Sequence, residues 1–167
     1  KWLAGLYYYD LHSNGIFSFG GFDLSTAMFP VSIVDANHLR GTAVFGEATY
    51  DFTDRLRFTV GGRYQEDDRT ANGRFFNGVG LAPYDYDEGF SNFDYKVGVE
   101  YDLGDRMMVY AGTQTGYQPG TFNGFASSPA LSNEIESADI TAYTVGIKTR
   151  LLDDRLQAND EVFFYTY

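Results

Sequence analysis

From Leu56 to Gln65 the chain alternates at period two: Leu56, Phe58, Val60, Gly62 and Tyr64 interleave with Arg57, Thr59, Gly61, Arg63 and Gln65. Successive side chains of a strand point to opposite faces, so this pattern predicts an extended segment with one dry face and one wet face. The same alternation returns over 93–103, where Phe93, Tyr95, Val97, Val99, Tyr101 and Leu103 take the dry positions. It returns again over 143–151, with Tyr143, Val145, Ile147 and Leu151 on one side, and over 42–52, with Val44, Ala48, Tyr50 and Phe52 opposed to Glu47, Thr49 and Asp51. A chain written this way cannot become a helical bundle.

A second regularity fixes how these segments connect. "YDFTDRLRF" at 50–58 is echoed by "YDLGDRMMV" at 101–109 and by "RLLDDRLQA" at 150–158, so Asp54-Arg55, Asp105-Arg106 and Asp154-Arg155 recur about every fifty residues. Each Asp-Arg pair reads as a tight reversal. Seven strands are predicted, at 1–10, 42–52, 55–69, 91–103, 106–118, 139–151 and 155–167. Connections of two or three residues at 53–54, 104–105 and 152–154 alternate with long loops at 11–41, 70–90 and 119–138. That is an antiparallel up-and-down meander whose two ends differ.

Composition selects the solvent. Strands of 10 to 15 residues exceed the ordinary soluble length, and about 9 to 11 suffice to cross a bilayer at a tilt. Aromatic residues make up 18% of the chain and collect near strand ends: Tyr50, Phe52 and Tyr101 beside the short turns, Tyr64, Phe93 and Tyr95 toward the long loops. Two such belts are what the two interfaces of a membrane attract. A soluble sandwich alternates too, but with shorter strands and a Val, Ile and Leu dry face. Mean hydropathy is −0.30 and no apolar run approaches a spanning helix, which excludes a helical membrane protein and leaves a β one open. There is no cysteine, hence no disulfide and no thiolate site, and a formal charge of −11 argues against nucleic acid. "KWLAGLYYYD" reads as the inside of a strand, not as a signal peptide.

The stretches "VFGEATYDFTDRLRFTVGGRYQEDDR" (44–69), "VGVEYDLGDRMMVYAGTQTGYQPGTFNG" (97–124) and "AYTVGIKTRLLDDRLQANDEVFFYTY" (142–167) resemble consecutive barrel segments of TonB-dependent outer-membrane receptors. "GYQPGTFN" at 116–123 is the most specific, similar to the family's Gly-Tyr/Phe-Lys-Pro-Gly-Gly-Phe-Asn. Gln118, Thr121 and Thr144 depart from that pattern, and Asp160 stands where the family prefers an apolar residue. The resemblance implies an all-β chain: an antiparallel transmembrane β-barrel segment, about seven strands of a 22-stranded type, with residues 1–167 as a partial barrel domain and the plug domain outside it.

It further implies a Gram-negative outer-membrane location, contact with lipid and lipopolysaccharide, no catalytic residues, and uptake of an extracellular chelate or glycan. The leading ligand class is a ferric siderophore, with TonB acting through the plug. A passive porin-like or adhesive barrel is the alternative. Candidate ligand contacts on the long loops are Tyr84, Tyr86, Tyr117, Phe122, Asn123 and Phe125. Lumen-facing candidates are Glu47, Thr49, Arg57, Arg63, Lys96, Glu100, Lys148 and Arg150, a polar ladder. No cofactor is required. Asp85, Asp87 and Glu88, facing Glu66, Asp67 and Asp68 across a hairpin, offer oxygen ligands for a structural Ca²⁺. His12 and His38 read as isolated loop residues, and Asn14-Gly15 as a turn.

Overall fold

The computed structural model describes residues 1–19, 31–76, 81–122 and 134–167. Among the described residues nine strands follow one another, β1 (Trp2–Phe19), β2 (Val31–Asp51), β3 (Leu56–Phe76), β4 (Leu81–Gly104), β5 (Met107–Gln118), β6 (Thr121–Phe122), β7 (Glu134–Ile135), β8 (Ala138–Leu151) and β9 (Leu156–Thr166). Seven form one antiparallel sheet in the order β1-β2-β3-β4-β5-β8-β9, and β6 and β7 pair in a separate two-stranded ribbon. The sheet is an open meander, with β1 and β9 at its edges.

Register carries the sequence pattern across the sheet. Directly opposed residues of an antiparallel pair share a face. Tyr50 opposes Phe58, Phe58 opposes Val99, Val99 opposes Ala111, Ala111 opposes Val145 and Val145 opposes Val162. One apolar row thus crosses six strands. On the other face Glu47, Gly61, Lys96 and Gln114 form a matching row. Asp160 opposes Ile147 and lies on the apolar face with Val162, so the charge interrupts that face on the edge strand.

Nothing among the described residues covers the apolar face. Leu6, Val60 and Val145 are 84%, 55% and 62% exposed, and among the described residues the buried apolar ones are Ala43, Ala71 and Tyr86. A single layer this greasy is stable only in a solvent as apolar as itself. Among the described residues no second sheet packs on this face as it would in a soluble sandwich. Tyr50 and Phe52 at one end, and Tyr64 and Phe93 at the other, are exposed on this side, forming the two aromatic belts.

The three reversals stand where the Asp-Arg repeat puts them, yet each is built differently. In the first, the Thr53 hydroxyl accepts hydrogen bonds from the backbone N–H of Arg55 (3.2 Å) and Leu56 (3.0 Å). In the second, the register shifts between Asp102 and Gly104. In the third, Leu152, Asp153 and Asp154 all adopt left-handed φ, at 54°, 52° and 63°. Asp tolerates that region through local hydrogen bonding; Leu152 does not, at a cost of about 1 kcal/mol. Arg106 reaches from the second turn to Asp153 in the third, Nη1 to Oδ1 at 3.2 Å.

The long-loop end differs from expectation. Most of 11–41 and 70–90 is ladder, not loop: Asn14 opposes Ala36, Gly15 opposes Asp35, and Gly89 opposes Asp68. Beyond the aromatic belt the outward positions turn polar, with Glu66, Asp68 and Thr70 on β3 and Asp85 and Asp87 on β4, so apolar/polar alternation disappears while backbone pairing continues. Polar composition there reads as loop for that reason. The candidates Tyr84, Asp85, Tyr86, Asp87 and Glu88 accordingly sit on β4, Tyr117 sits on β5 and Phe122 on β6. Asn123 and Phe125 lie outside the described residues.

Val99→Arg places a charge at mid-strand on the apolar side and is expected to cost about 2 to 4 kcal/mol in an unfolding titration, against little change for Glu100→Gln on the polar side. An insertion of two residues at Gly89, harmless were it a loop, is expected to slip the β3–β4 register and lower the yield of folded, heat-modifiable barrel on gels.

Candidate functional site

The polar face holds a ladder of paired side chains. Arg57 donates from Nε to Glu100 (2.9 Å) and makes a two-pronged pair with Asp102 (2.6 and 3.0 Å). Such fork geometry holds a guanidinium in one orientation. Lys96 Nζ donates to Glu47 at 2.8 Å, Arg63 Nε to Gln65 at 2.9 Å, and Thr49 and Thr59 share a hydrogen bond of 3.0 Å. Lys148 lies 5.0 Å from the Tyr110 ring centre, and Tyr110 donates to Glu161 at 2.7 Å. The lumen-facing candidates Glu47, Arg57, Arg63, Lys96, Glu100 and Lys148 are thus all on one face, and each has a partner. Side chains already paired in this way stiffen a wall more readily than they seize a ligand.

A different arrangement occupies the long-loop end of the same face, beyond the belt. Here β4 and β5 part: their ladder ends at Lys96 opposite Gln114. The Thr115 hydroxyl then takes over, accepting from the Tyr95 N–H (3.0 Å) and donating to Asp94 (3.0 Å). Past this point the chain leaves the sheet at Pro119-Gly120 and crosses the upper β4. Phe122 stacks on Tyr84 (centroids 4.7 Å apart, planes 23°) and tilts against Tyr86 (5.4 Å). Gly120 is needed for close approach, because a Cβ there would lie 2.6 Å from the Ile135 carbonyl oxygen and 2.8 Å from the Phe90 ring. That is the physical meaning of the Pro-Gly in "GYQPGTFN".

Beneath the crossing lies a buried cluster. Tyr86 and Asp67 are 6% and 3% exposed. Asp67 accepts from the Tyr9 hydroxyl (2.7 Å) and from Gln65 Nε2 (2.7 Å). Burial, then the adjacent carboxylate, push the Tyr9 hydroxyl up to about 12. Burial likewise raises Tyr86 and Tyr117 above the ordinary phenol value. Both therefore stay protonated donors. Arg69 sits close enough to oppose those shifts, and its Nε is buried with no hydrogen-bond partner among the described residues. A buried guanidinium N–H without an acceptor is a donor waiting for one.

Of the loop candidates, the structure brings Tyr84, Tyr86 and Phe122 into contact and sets Tyr117 nearby. Tyr9, Asp67, Arg69 and Phe90 complete the cluster and were not singled out as ligand contacts from the sequence. Asp67 and Arg69 continue the phase of Arg63 and Gln65, a signal that was present; Tyr9 enters only through its register with Gly41 and Asp67. Strand alternation separates the proposed calcium ligands, with Asp85 and Asp87 on one face of β4 and Glu88 on the other, opposite Arg69. Among the described residues a single group of three potential metal-ligating side chains lies together, and it is Asp10, His12 and His38. The two histidines are not isolated: they oppose one another directly across β1 and β2.

The family model described as "TonB dependent receptor-like, beta-barrel" matches residues 1–167. The chain belongs to the TonB-dependent receptor barrel family. Its strands superpose on the ferric yersiniabactin uptake receptor FyuA of Yersinia pestis with a TM-score of 0.83, at 16% identity, over 98% of this chain and 25% of that one. They superpose on the siderophore receptor PiuA of Acinetobacter baumannii with a TM-score of 0.74, at 16% identity, over 98% and 28%. The alcaligin outer-membrane receptor FauA of Bordetella pertussis gives 0.54, at 17% identity, over 97% and 29%. The chain spans roughly a quarter of the length of these solved chains, and at such identities the likeness is one of fold. The family belongs to the outer membrane of Gram-negative bacteria, and the sheet of this barrel segment has one bare apolar face and one polar face.

Gly120→Val is expected to lift the 119–122 crossing from Phe90, opening a new cleavage point there in limited proteolysis of the detergent-solubilised protein; overpacking of this kind costs about 1 to 3 kcal/mol.

Proposed function

We propose that this barrel serves an outer-membrane receptor that captures a small extracellular chelate at the upper lumen wall and imports it actively, with a ferric siderophore as the leading ligand class. The observation that carries the reading is the cluster at the crossing: three stacked or tilted aromatic rings beside an Arg69 Nε that has no partner among the described residues. Flat aromatic groups of a chelate find offset stacking on such rings. An anionic or carbonyl oxygen finds a charge-assisted donor in the guanidinium. The polar ladder below the cluster keeps the lumen wet and its wall rigid. Transport work would come from TonB acting on a plug domain enclosed by the completed barrel, and no covalent chemistry is called for. The names of the solved relatives, which include a ferric yersiniabactin uptake receptor and a siderophore receptor, support the ligand class.

In the intact receptor, Tyr86→Ala and Arg69→Gln are each expected to weaken binding of at least one member of a ferric hydroxamate, catecholate and phenolate panel by about tenfold or more. Import of the bound chelate should stop when the proton-motive force is collapsed. Unchanged binding across the panel in both variants would remove the cluster from the ligand path, and uptake that survives an uncoupler would make the barrel a passive pore.

A further inference from the structure

We infer that Asp10, His12 and His38 form a binding site for a divalent, imidazole-seeking metal ion such as Zn²⁺ or Cu²⁺ on the outer wall of the barrel, just beyond the upper aromatic belt and separate from the lumen. The β1–β2 register makes the site. His12 and His38 are directly opposed, and Asp10 lies two residues back on the same face as His12. The imidazole rings stack at 3.9 Å with planes 18° apart. Each directs a ring nitrogen at one and the same carboxylate oxygen: His38 Nε2 lies 2.9 Å and His12 Nδ1 3.2 Å from Asp10 Oδ1.

Three donor atoms of a kind that suits zinc and copper thus converge. They lie within 4.8 Å of one another. Two ligands bound to one zinc ion at ~2.1 Å each cannot be more than ~4.2 Å apart, so a small side-chain rotation brings all three into range. The site is also supported from behind. Tyr8 donates its hydroxyl to the other Asp10 oxygen at 3.0 Å, orienting the carboxylate as outer-shell partners of metal ligands do.

Access and charge fit an ion from the medium. The His12 side chain is 67% exposed and those of His38 and Asp10 37%, which leaves room for water ligands. On the same face Asp68 opposes Arg40, Asp87 opposes Thr70 and Glu66 opposes Thr42. Arg40, opposite Asp10, is the adverse charge, and Asp68 on its far side offsets it. The face is the one that meets lipid lower down, so an ion held here is not on the transport path. Its mechanical effect is to clip β1 to β2 where the ladder has left the membrane.

The test is Zn²⁺ titration of the intact receptor in detergent after chelator treatment, with Cu²⁺ as a spectroscopic probe. Wild type should bind Zn²⁺ saturably. His12→Ala and His38→Ala should each weaken binding by about tenfold or more, whereas Arg69→Gln and Tyr86→Ala should leave it unchanged. Paramagnetic resonance of the Cu²⁺ form should show coupling to two imidazole nitrogens, reduced to one in either histidine variant; this reading on wild type stands even if a variant folds poorly. Absence of nitrogen coupling, no saturable Zn²⁺ binding by wild type, or equal binding in the double histidine variant overturns the site.

Discussion

Backbone hydrogen bonding in a solvent that offers none governs this protein. Within lipid every N–H and C=O must be paired inside the protein, at a cost of several kcal/mol for each one left out. The antiparallel ladder meets that demand strand by strand, and once it exists the positions of all side chains follow with period two. The row from Tyr50 through Val99 to Val162 is apolar, and the row from Glu47 through Lys96 to Gln114 is not, because register admits no intermediate choice. Hydrophobic burial in the usual sense contributes little. Ala43, Ala71 and Tyr86 could not hold a soluble domain together.

Within the membrane the amino-acid pattern was therefore a faithful guide. Alternation such as Phe93–Leu103 reports directly on which side meets lipid, and the Asp-Arg wording marks the reversals. Above the belt that information fades. Asn72, Asp85 and Asp87 look like loop because the outward face is polar there, while the ladder that holds them depends on partners elsewhere along the chain. The histidine pair shows the limit most clearly: nothing near His12 announces His38, and only the alignment of two long strands sets them ring on ring. The Asp85, Asp87 and Glu88 triplet shows the converse, neighbours in sequence placed on opposite faces by the strand that contains them.

The candidate ligand site follows the same division. Tyr84, Tyr86 and Phe122 are recognisable as aromatic residues in an outer region, whereas the buried Asp67 and the Tyr9 hydroxyl bound to it come together only through the β1–β2–β3 register, and the Arg69 Nε has no partner among the described residues. "GYQPGTFN" carried more than it disclosed. Its glycine is a point of contact between two backbones, and its phenylalanine is the lid of an aromatic stack.

The parting of β4 from β5 has a mechanical side. Above Lys96 the described wall is two panels, β1–β4 and β5–β9, stitched at Thr115 and, among the described residues, with no further β4–β5 ladder. Tyr84 and Tyr86 belong to one panel and Phe122 follows from the other, so the aromatic stack spans a seam. A molecule wedged between those rings would pry at a joint that can give by rearranging side chains alone, leaving the membrane-embedded staves below undisturbed.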